Sequence, residues 1–261
     1  QVWQYEENDE KDDSATSLNF TPLVVKGKMI SFMPSRKLVA LDPSSGKLLW
    51  EFTPDKTEIA TWIRGATFKD GFNGEPDMVL FVYGSTLYSI NANDGKLNSS
   101  FGENGKVDFY EGLSVKPSMR EKVHVTANAP GVIFNDLFII GCKVPDELPS
   151  TPGDIRAFNA NTGKLEWIFH TIPQKGEFGA DTWPENAREI VGGANCWGSM
   201  TLDKDRGIIF VPTASPSFDF YGANREGQNL FANCLLALNA KTGERIWHFQ
   251  TTHHDLWDRD N

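Results

Sequence analysis

Apolar and polar positions alternate along this chain in short runs that return as a unit. LVALDPSSGKLLWEF (38–52) is repeated closely by IRAFNANTGKLEWIF (155–169) and LLALNAKTGERIWHF (235–249), with a weaker copy in LYSINANDGKLNSSF (87–101). Each copy reads as a strand, a polar turn and a second strand: period-2 alternation on both sides flanks a glycine that supplies the positive φ the turn needs. The turn glycines are Gly46, Gly95, Gly163 and Gly243, and in three of the copies a tryptophan follows four residues later, as Trp50, Trp167 and Trp247. Self-similarity at irregular spacings of roughly 50 to 80 residues predicts an all-β, radial array of hairpins with loops inserted between units.

A tryptophan at a fixed offset from a turn has a physical use. Its side chain buries about 150–250 Å², an upper bound of some 4–6 kcal/mol at about 25 cal/mol/Å², enough to fasten one sheet to the next. The second copy carries Ser99 at the tryptophan position, so a looser contact is expected there.

Composition narrows the reading. The repeats run through all 261 residues without a low-complexity linker, so one architectural unit spans 1–261. No run of some 18 apolar residues encodes a membrane span, and no charged-then-apolar signal-peptide pattern is read in the first residues. The first residue, Gln1, leads to the expectation of a processed or truncated N-terminus. A net charge of −10 with scattered lysines and arginines argues against a nucleic-acid partner. The acidic run from Glu6 to Asp13 lacks the interleaved turn glycines of a calcium loop and reads as a solvated loop. Cys142, Cys196 and Cys234 are an odd set without CxxC spacing, which gives neither a zinc site nor a disulfide framework.

Outside the repeats stand HHDLWD (253–258), TPLVV (21–25), Arg64 with Gly65, PGDIRAF (152–158), FHTIP (169–173), GEFGADTW (176–183), GGANCW (192–197) and NLFAN (229–233). In this order and spacing they make the chain resemble the PQQ-dependent (quinoprotein) alcohol and sugar dehydrogenases, closest to the glucose dehydrogenase-like branch. The resemblance implies a β-propeller of four-stranded antiparallel blades with tryptophan docking. Its four repeat units would be about half of an eight-bladed ring, an N-terminal part whose remaining blades lie on the same polypeptide or on another chain. An open half-ring exposes strand edges and apolar blade faces, which is why a completing partner is expected.

The resemblance also implies a chemistry: oxidation of an alcohol or sugar hydroxyl with PQQ and a metal ion, calcium or magnesium, or alternatively a lanthanide. Electrons would pass to a quinone or cytochrome, and the location would be periplasmic or extracellular. Asp258 matches the catalytic aspartate that takes the hydroxyl proton. Asp260 lies two residues on and, if the segment is extended, points the same way as Asp258, and Asp146, preferred over Glu147, and Ser215 match the remaining metal-ligand positions. Serine is a poorer oxygen donor than the usual asparagine. Trp197 matches the tryptophan beneath the cofactor ring, Arg64 and Thr126 match partners of its carboxylates, and Cys142 and Lys143 match neighbours of the cofactor.

Three departures bear on substrate, the first being that the adjacent cysteine pair of methanol dehydrogenases is absent. Asn19 stands where many members have a cofactor-contacting glutamate, and Ser35 replaces a histidine of the membrane-bound glucose enzymes. They weaken glucose or methanol as the substrate more than they weaken cofactor binding. His253 and His254 are expected to hold the loop that presents Asp258, and His170 and His248 to be packing or surface residues. The competing reading is a noncatalytic propeller scaffold for protein–protein interaction, because Gly-to-Trp repeats occur in such proteins as well. Arg64, Trp197 and the cluster from Asp255 to Asp260 favour the enzyme.

Overall fold

A computed structural model describes residues 2–7, 19–56, 62–72 and 74–260. Most of the acidic run therefore lies outside the described residues; within it, Glu7 accepts hydrogen bonds from the backbone N–H and hydroxyl of Ser35. The described chain is nearly all β, in four antiparallel four-stranded sheets whose strands neighbour one another in sequence order. The first sheet holds β1 (Leu23–Val25), β2 (Lys28–Phe32), β3 (Leu38–Leu41) and β4 (Leu48–Phe52). The second holds β5 (Thr67–Lys69), β6 (Met78–Tyr83), β7 (Thr86–Asn91) and β8 (Lys106–Asp108). The third holds β9 (Val132–Phe134), β10 (Leu137–Ile140), β11 (Ile155–Asn159) and β12 (Leu165–Phe169). After β13 (Gly192–Gly193), the fourth takes β14 (Thr201–Asp203), β15 (Ile208–Pro212), β17 (Cys234–Asn239) and β18 (Arg245–Gln250), while β16 (Pro216–Ser217) pairs with β13.

The repeated sequence unit is the hairpin of the last two strands in sheets one, three and four, and its turn is built the same way each time. The side-chain oxygens of Asp42, Asn159 and Asn239 accept backbone N–H groups two and three residues on, and the turn glycine donates its own N–H to the carbonyl of the same Asp or Asn. Gly46, Gly163 and Gly243 sit at φ 72, 76 and 74, where a Cβ would be strained.

Strands buried on both faces read as continuous apolar runs, and the period of two decides which neighbour each residue meets. Along β6, Val79 and Phe81 pack toward the first sheet with Ile30, Phe32 and Trp50. Leu80 and Val82 pack toward the third with Phe138, Ile140 and Phe158. Ile139, on the opposite face of β10 from its neighbours, joins Ile209, Val211 and Leu236 of the fourth sheet. The cores thus lie between successive sheets, as in the blades of a propeller.

The tryptophans do fasten sheet to sheet. Trp50 lies against Gly95 and donates its indole N–H to Ala92 O at 3.0 Å; Trp167 lies against Gly243. A third docking tryptophan, Trp3, lies on Gly46 and donates to Pro43 O at 2.9 Å. Its signal was the Trp-x-aromatic pattern that Trp3 and Tyr5 share with Trp50 and Phe52. Trp247, by contrast, is 40% exposed where Trp50 is 7% exposed, and Leu235 and Phe249 are exposed with it on the far face of the fourth sheet.

The second unit departs from the expected pattern. After Gly95 only an isolated bridge, Ile90 to Leu97, continues the hairpin, and the outermost strand is β8, further along the chain. The contact at the missing tryptophan is not looser. Gly102 donates its N–H to Thr162 O at 2.8 Å and packs directly beneath Gly163 together with the Val107 side chain. Backbone against backbone replaces the indole, so two glycines do the work of one aromatic ring.

Candidate functional site

The first strands of adjacent sheets touch, β5 against β9 and β9 against β14, so they form the inner row of the array. Arg64, Thr126 and Trp197 lie on the segments that enter these three strands. In an antiparallel ladder the start of one strand adjoins the end of the next. The residues after β10, namely Cys142, Lys143 and Asp146, and Ser215 after β15, consequently fall at the same end of the array. The end of β18 pairs with the start of β17, which brings Asp258 and Asp260 to that end as well. The strand order alone thus gathers residues that the sequence spreads over nearly two hundred positions.

Contacts confirm the gathering for most of them. The Arg64 guanidinium lies 4.9 Å from the centre of the Trp197 ring, and Trp197 donates its indole N–H to Asp260 Oδ2 at 3.0 Å. Asp260 Oδ1 accepts the backbone N–H of Ser215 at 3.1 Å. The Ser215 hydroxyl is engaged elsewhere: it donates to Asp255 Oδ2 at 2.6 Å. Thr126 and Lys143 form a backbone bridge, and the Lys143 ammonium lies 5.6 Å from the Trp62 ring centre. A cavity of about 660 Å³ opens beside these groups, lined by Asn19, Thr21, Trp62, Arg64 and Ser199 among others.

Two observations bear on what the site can hold. Thr126 Oγ1 is buried without a hydrogen-bond partner among the described residues, an arrangement that costs about 1–3 kcal/mol unless a ligand atom meets it. Cys142 is fully buried and burial pushes its thiol up to about 11, so it is a small packing group rather than a nucleophile; Asn195 holds its carbonyl at 2.9 Å.

The acidic side is electrostatically coupled. Burial raises the Asp258 pKa, and the like charges of Asp260, Asp146 and Asp255 raise it further. Asp219, on the loop after β16, is pushed up to about 7 by burial and then by Asp146, Asp258 and Asp260, against an opposing pull from Arg225. Nothing in the local sequence pointed to Asp219; only the folding of its loop against the segment after β18 brings it in. Among the described residues, no three His, Cys, Asp or Glu side chains converge within metal-binding distance. The donors present are nonetheless all oxygens, which suit a hard cation, and a cation among them would relieve the repulsion that raises Asp219 and Asp258.

The Asp219 shift has a testable sign. The folded state holds this proton up to about pH 7, whereas an unfolded aspartate, near 3.8, has already lost it. Its contribution to stability is therefore present at low pH and lost as pH rises through the folded pKa. Asp219→Asn is expected to raise the melting temperature at pH 8 in the presence of a chelator and to change it little at pH 4; equal shifts at both values would contradict the assignment.

Three of the histidines make structural contacts. His254 Nδ1 lies 2.9 Å from Gly227 O, His170 contacts Glu177 at 2.8 Å, and His248 packs edge-on against Phe231.

All residues from 1 to 261 match the family model for the PQQ glucose/ethanol/alcohol dehydrogenase β-propeller domain. The chain belongs to this family. Among its relatives, quinoprotein glucose dehydrogenase A of Acinetobacter calcoaceticus is 31% identical over 277 residues, covering 96% of this chain and 34% of the relative. Quinate/shikimate dehydrogenase (quinone) of Acinetobacter baylyi is 30% identical, covering 92% of this chain and 32% of the relative. Among solved structures, the quinohemoprotein alcohol dehydrogenase from Comamonas testosteroni superposes with a TM-score of 0.77 at 25% identity, over 95% of this chain and 37% of its own. The chain thus spans about a third of the length of these quinoprotein dehydrogenases, and its four sheets are blades of their β-propeller, a partial ring.

Proposed function

We propose that this chain contributes the cofactor-binding end of a PQQ-dependent dehydrogenase that oxidises an alcohol or sugar hydroxyl, within a ring completed by further blades on the same polypeptide or another chain. The observation that carries the reading is the connected set Arg64, Trp197 and Asp260, with Asp258 beside it, at one end of the array. A repeat scaffold has no need of an arginine laid across a tryptophan next to coupled carboxylates. The exposed face of Trp247 supports the completion of the ring, because the equivalent faces of Trp50 and Trp167 are covered by the next sheet.

In this reading Trp197 supplies the flat surface for the cofactor, Arg64 a planar bidentate partner for a carboxylate, and Thr126 a hydroxyl without another partner among the described residues. Lys143 adds positive charge and Cys142 fills space. Asp146, Asp258 and Asp260 would hold the cation, calcium, magnesium or a lanthanide, with Ser215 contributing its oxygen only if its hydroxyl turns away from Asp255. When bound, PQQ supplies the two-electron acceptor and the cation a Lewis acid that polarises it. Asp258 then accepts the substrate hydroxyl proton on its carboxylate, a role that requires it ionised; a nearby positive charge offsets the burial and like charges that raise its pKa. Electrons leave to a quinone or cytochrome, and the protein works in the periplasm or outside the cell.

The test is dye-linked dehydrogenase activity of a protein carrying this chain in a closed ring, reconstituted with PQQ and calcium, magnesium or lanthanum separately, across alcohols and sugars. Substrate-dependent dye reduction is expected with at least one substrate and one cation. A protein that takes up PQQ but reduces dye with none of them would refute the dehydrogenase reading, and the noncatalytic scaffold would stand in its place.

A further inference from the structure

Asp258 stands at φ 53, on a segment after β18 that has no ladder partner to fix it. A non-glycine residue in the left-handed region needs its surroundings to hold it. Asp255, three residues earlier, is 2% exposed, and its carboxylate is saturated by this segment and its neighbours. Oδ1 accepts the backbone N–H of Trp257 at 3.0 Å, and Oδ2 accepts that of Arg259 at 2.6 Å, so the residues immediately before and after Asp258 both hang from one buried anion. The anion is itself fixed from behind. The Ser215 hydroxyl and the Asn233 amide donate to Oδ2 at 2.6 and 3.2 Å, and Asn233 also donates to Arg259 O at 2.6 Å. Arg225, fully buried, donates to Asn229 Oδ1 at 2.9 Å and hydrogen-bonds the backbone carbonyl of Asp255.

We propose that Asp255 is a positioning residue for Asp258: it clamps the backbone N–H groups of Trp257 and Arg259 and so fixes the carboxylate between them, with Ser215, Asn233 and Arg225 fixing the clamp. The proposal rests on the reading of Asp258 as the base. Although burial pushes the Asp255 pKa up, the bonds from Ser215, from the Arg259 and Trp257 N–H groups and from Asn233 outweigh it and hold the carboxyl below its usual value. Its two oxygens accept four hydrogen bonds from O–H and N–H donors, as a carboxylate does and an asparagine, with a single oxygen, cannot. The clamp also gives Ser215 a role other than coordination: its hydroxyl proton serves Asp255, while its backbone N–H serves Asp260.

The test compares wild type, Asp255→Asn and Asn233→Gly in the protein with its complete ring. Asn233 sits at φ 49, which glycine accepts, and its replacement keeps the charge of Asp255 while removing one support. Three readouts are taken: hydrogen exchange of the 256–260 amides, Tb³⁺ binding by tryptophan-sensitised luminescence, and steady-state kinetics with PQQ occupancy matched. Asp255→Asn is expected to speed exchange at Trp257 and Arg259 by roughly 10-fold or more, to weaken Tb³⁺ binding, and to lower kcat by roughly 10–100-fold with KM little changed. Asn233→Gly should move every readout in the same direction by less. Unchanged exchange at both amides would overturn the clamp, and faster exchange with unaltered kcat would overturn the positioning role while leaving the dehydrogenase reading intact. A wild-type protein that takes up PQQ and Tb³⁺ but oxidises no substrate would defeat the dehydrogenase reading and the positioning role with it, whereas the exchange result would still judge the clamp.

Discussion

Asp258→Asn is expected to lower turnover on the order of 10²-fold or more while leaving the fold intact. Two physical facts support this division. Asp258 occupies φ 53, a conformation asparagine adopts at least as readily as aspartate, so the backbone has no reason to move. Asparagine, however, cannot take the substrate proton and removes one negative charge from the set formed with Asp260 and Asp146. The loss should persist at saturating cofactor and cation, because it concerns proton acceptance rather than binding. Kinetics of wild type and variant at equal PQQ occupancy check it; equal turnover would remove Asp258 from the role of base.

The second large effect lies in the scaffold. Trp50→Ala is expected to destabilise the folded chain by about 3–5 kcal/mol, as truncation of a buried tryptophan commonly does. The indole is 7% exposed, covers Gly95 and donates a hydrogen bond to Ala92 O, all of which is lost with it. In residues 1–261 by themselves, where no further blade covers it, Trp247→Ala should cost much less, since that ring is 40% exposed. Gly95→Ala offers an independent check from the other side of the contact. Its Cβ would lie 2.7 Å from Trp50 Cε3 at φ +72, so both overlap and backbone strain oppose it. Denaturant unfolding of the four proteins measures these differences. Similar losses for Trp50→Ala and Trp247→Ala would contradict the docking scheme.

What was legible in the sequence followed local rules. The Asp or Asn that opens each turn, the glycine four residues on and the tryptophan after it are a local code, and three hairpins formed where that code was complete. In the second unit, Gly95 is followed four residues later by Ser99, so the glycine is present without the tryptophan. The chain there leaves the hairpin for a backbone contact between Gly102 and Gly163 that no periodicity announces. In the site, Arg64, Trp197, Ser215 and Asp260 were nameable as a group from resemblance alone, and the strand order explains why they meet. Asp219 and the clamp at Asp255 were not nameable, because both depend on loops of distant sequence packing together. Trp3 carries only the Trp-x-aromatic half of the code, which by itself does not mark a docking tryptophan.

The central claim is that Arg64, Trp197 and the carboxylates around Asp258 form one cofactor site, and equilibrium titration with PQQ tests it most directly. In a protein carrying this chain in a closed ring, calcium-dependent binding is expected, with quenching of tryptophan fluorescence. Trp197→Ala and Arg64→Ala should each weaken it by roughly 10-fold or more, as loss of a stacking surface or a bidentate ion pair does. Binding of equal strength in wild type and both variants, or no binding to a folded wild type with cation present, would contradict the account.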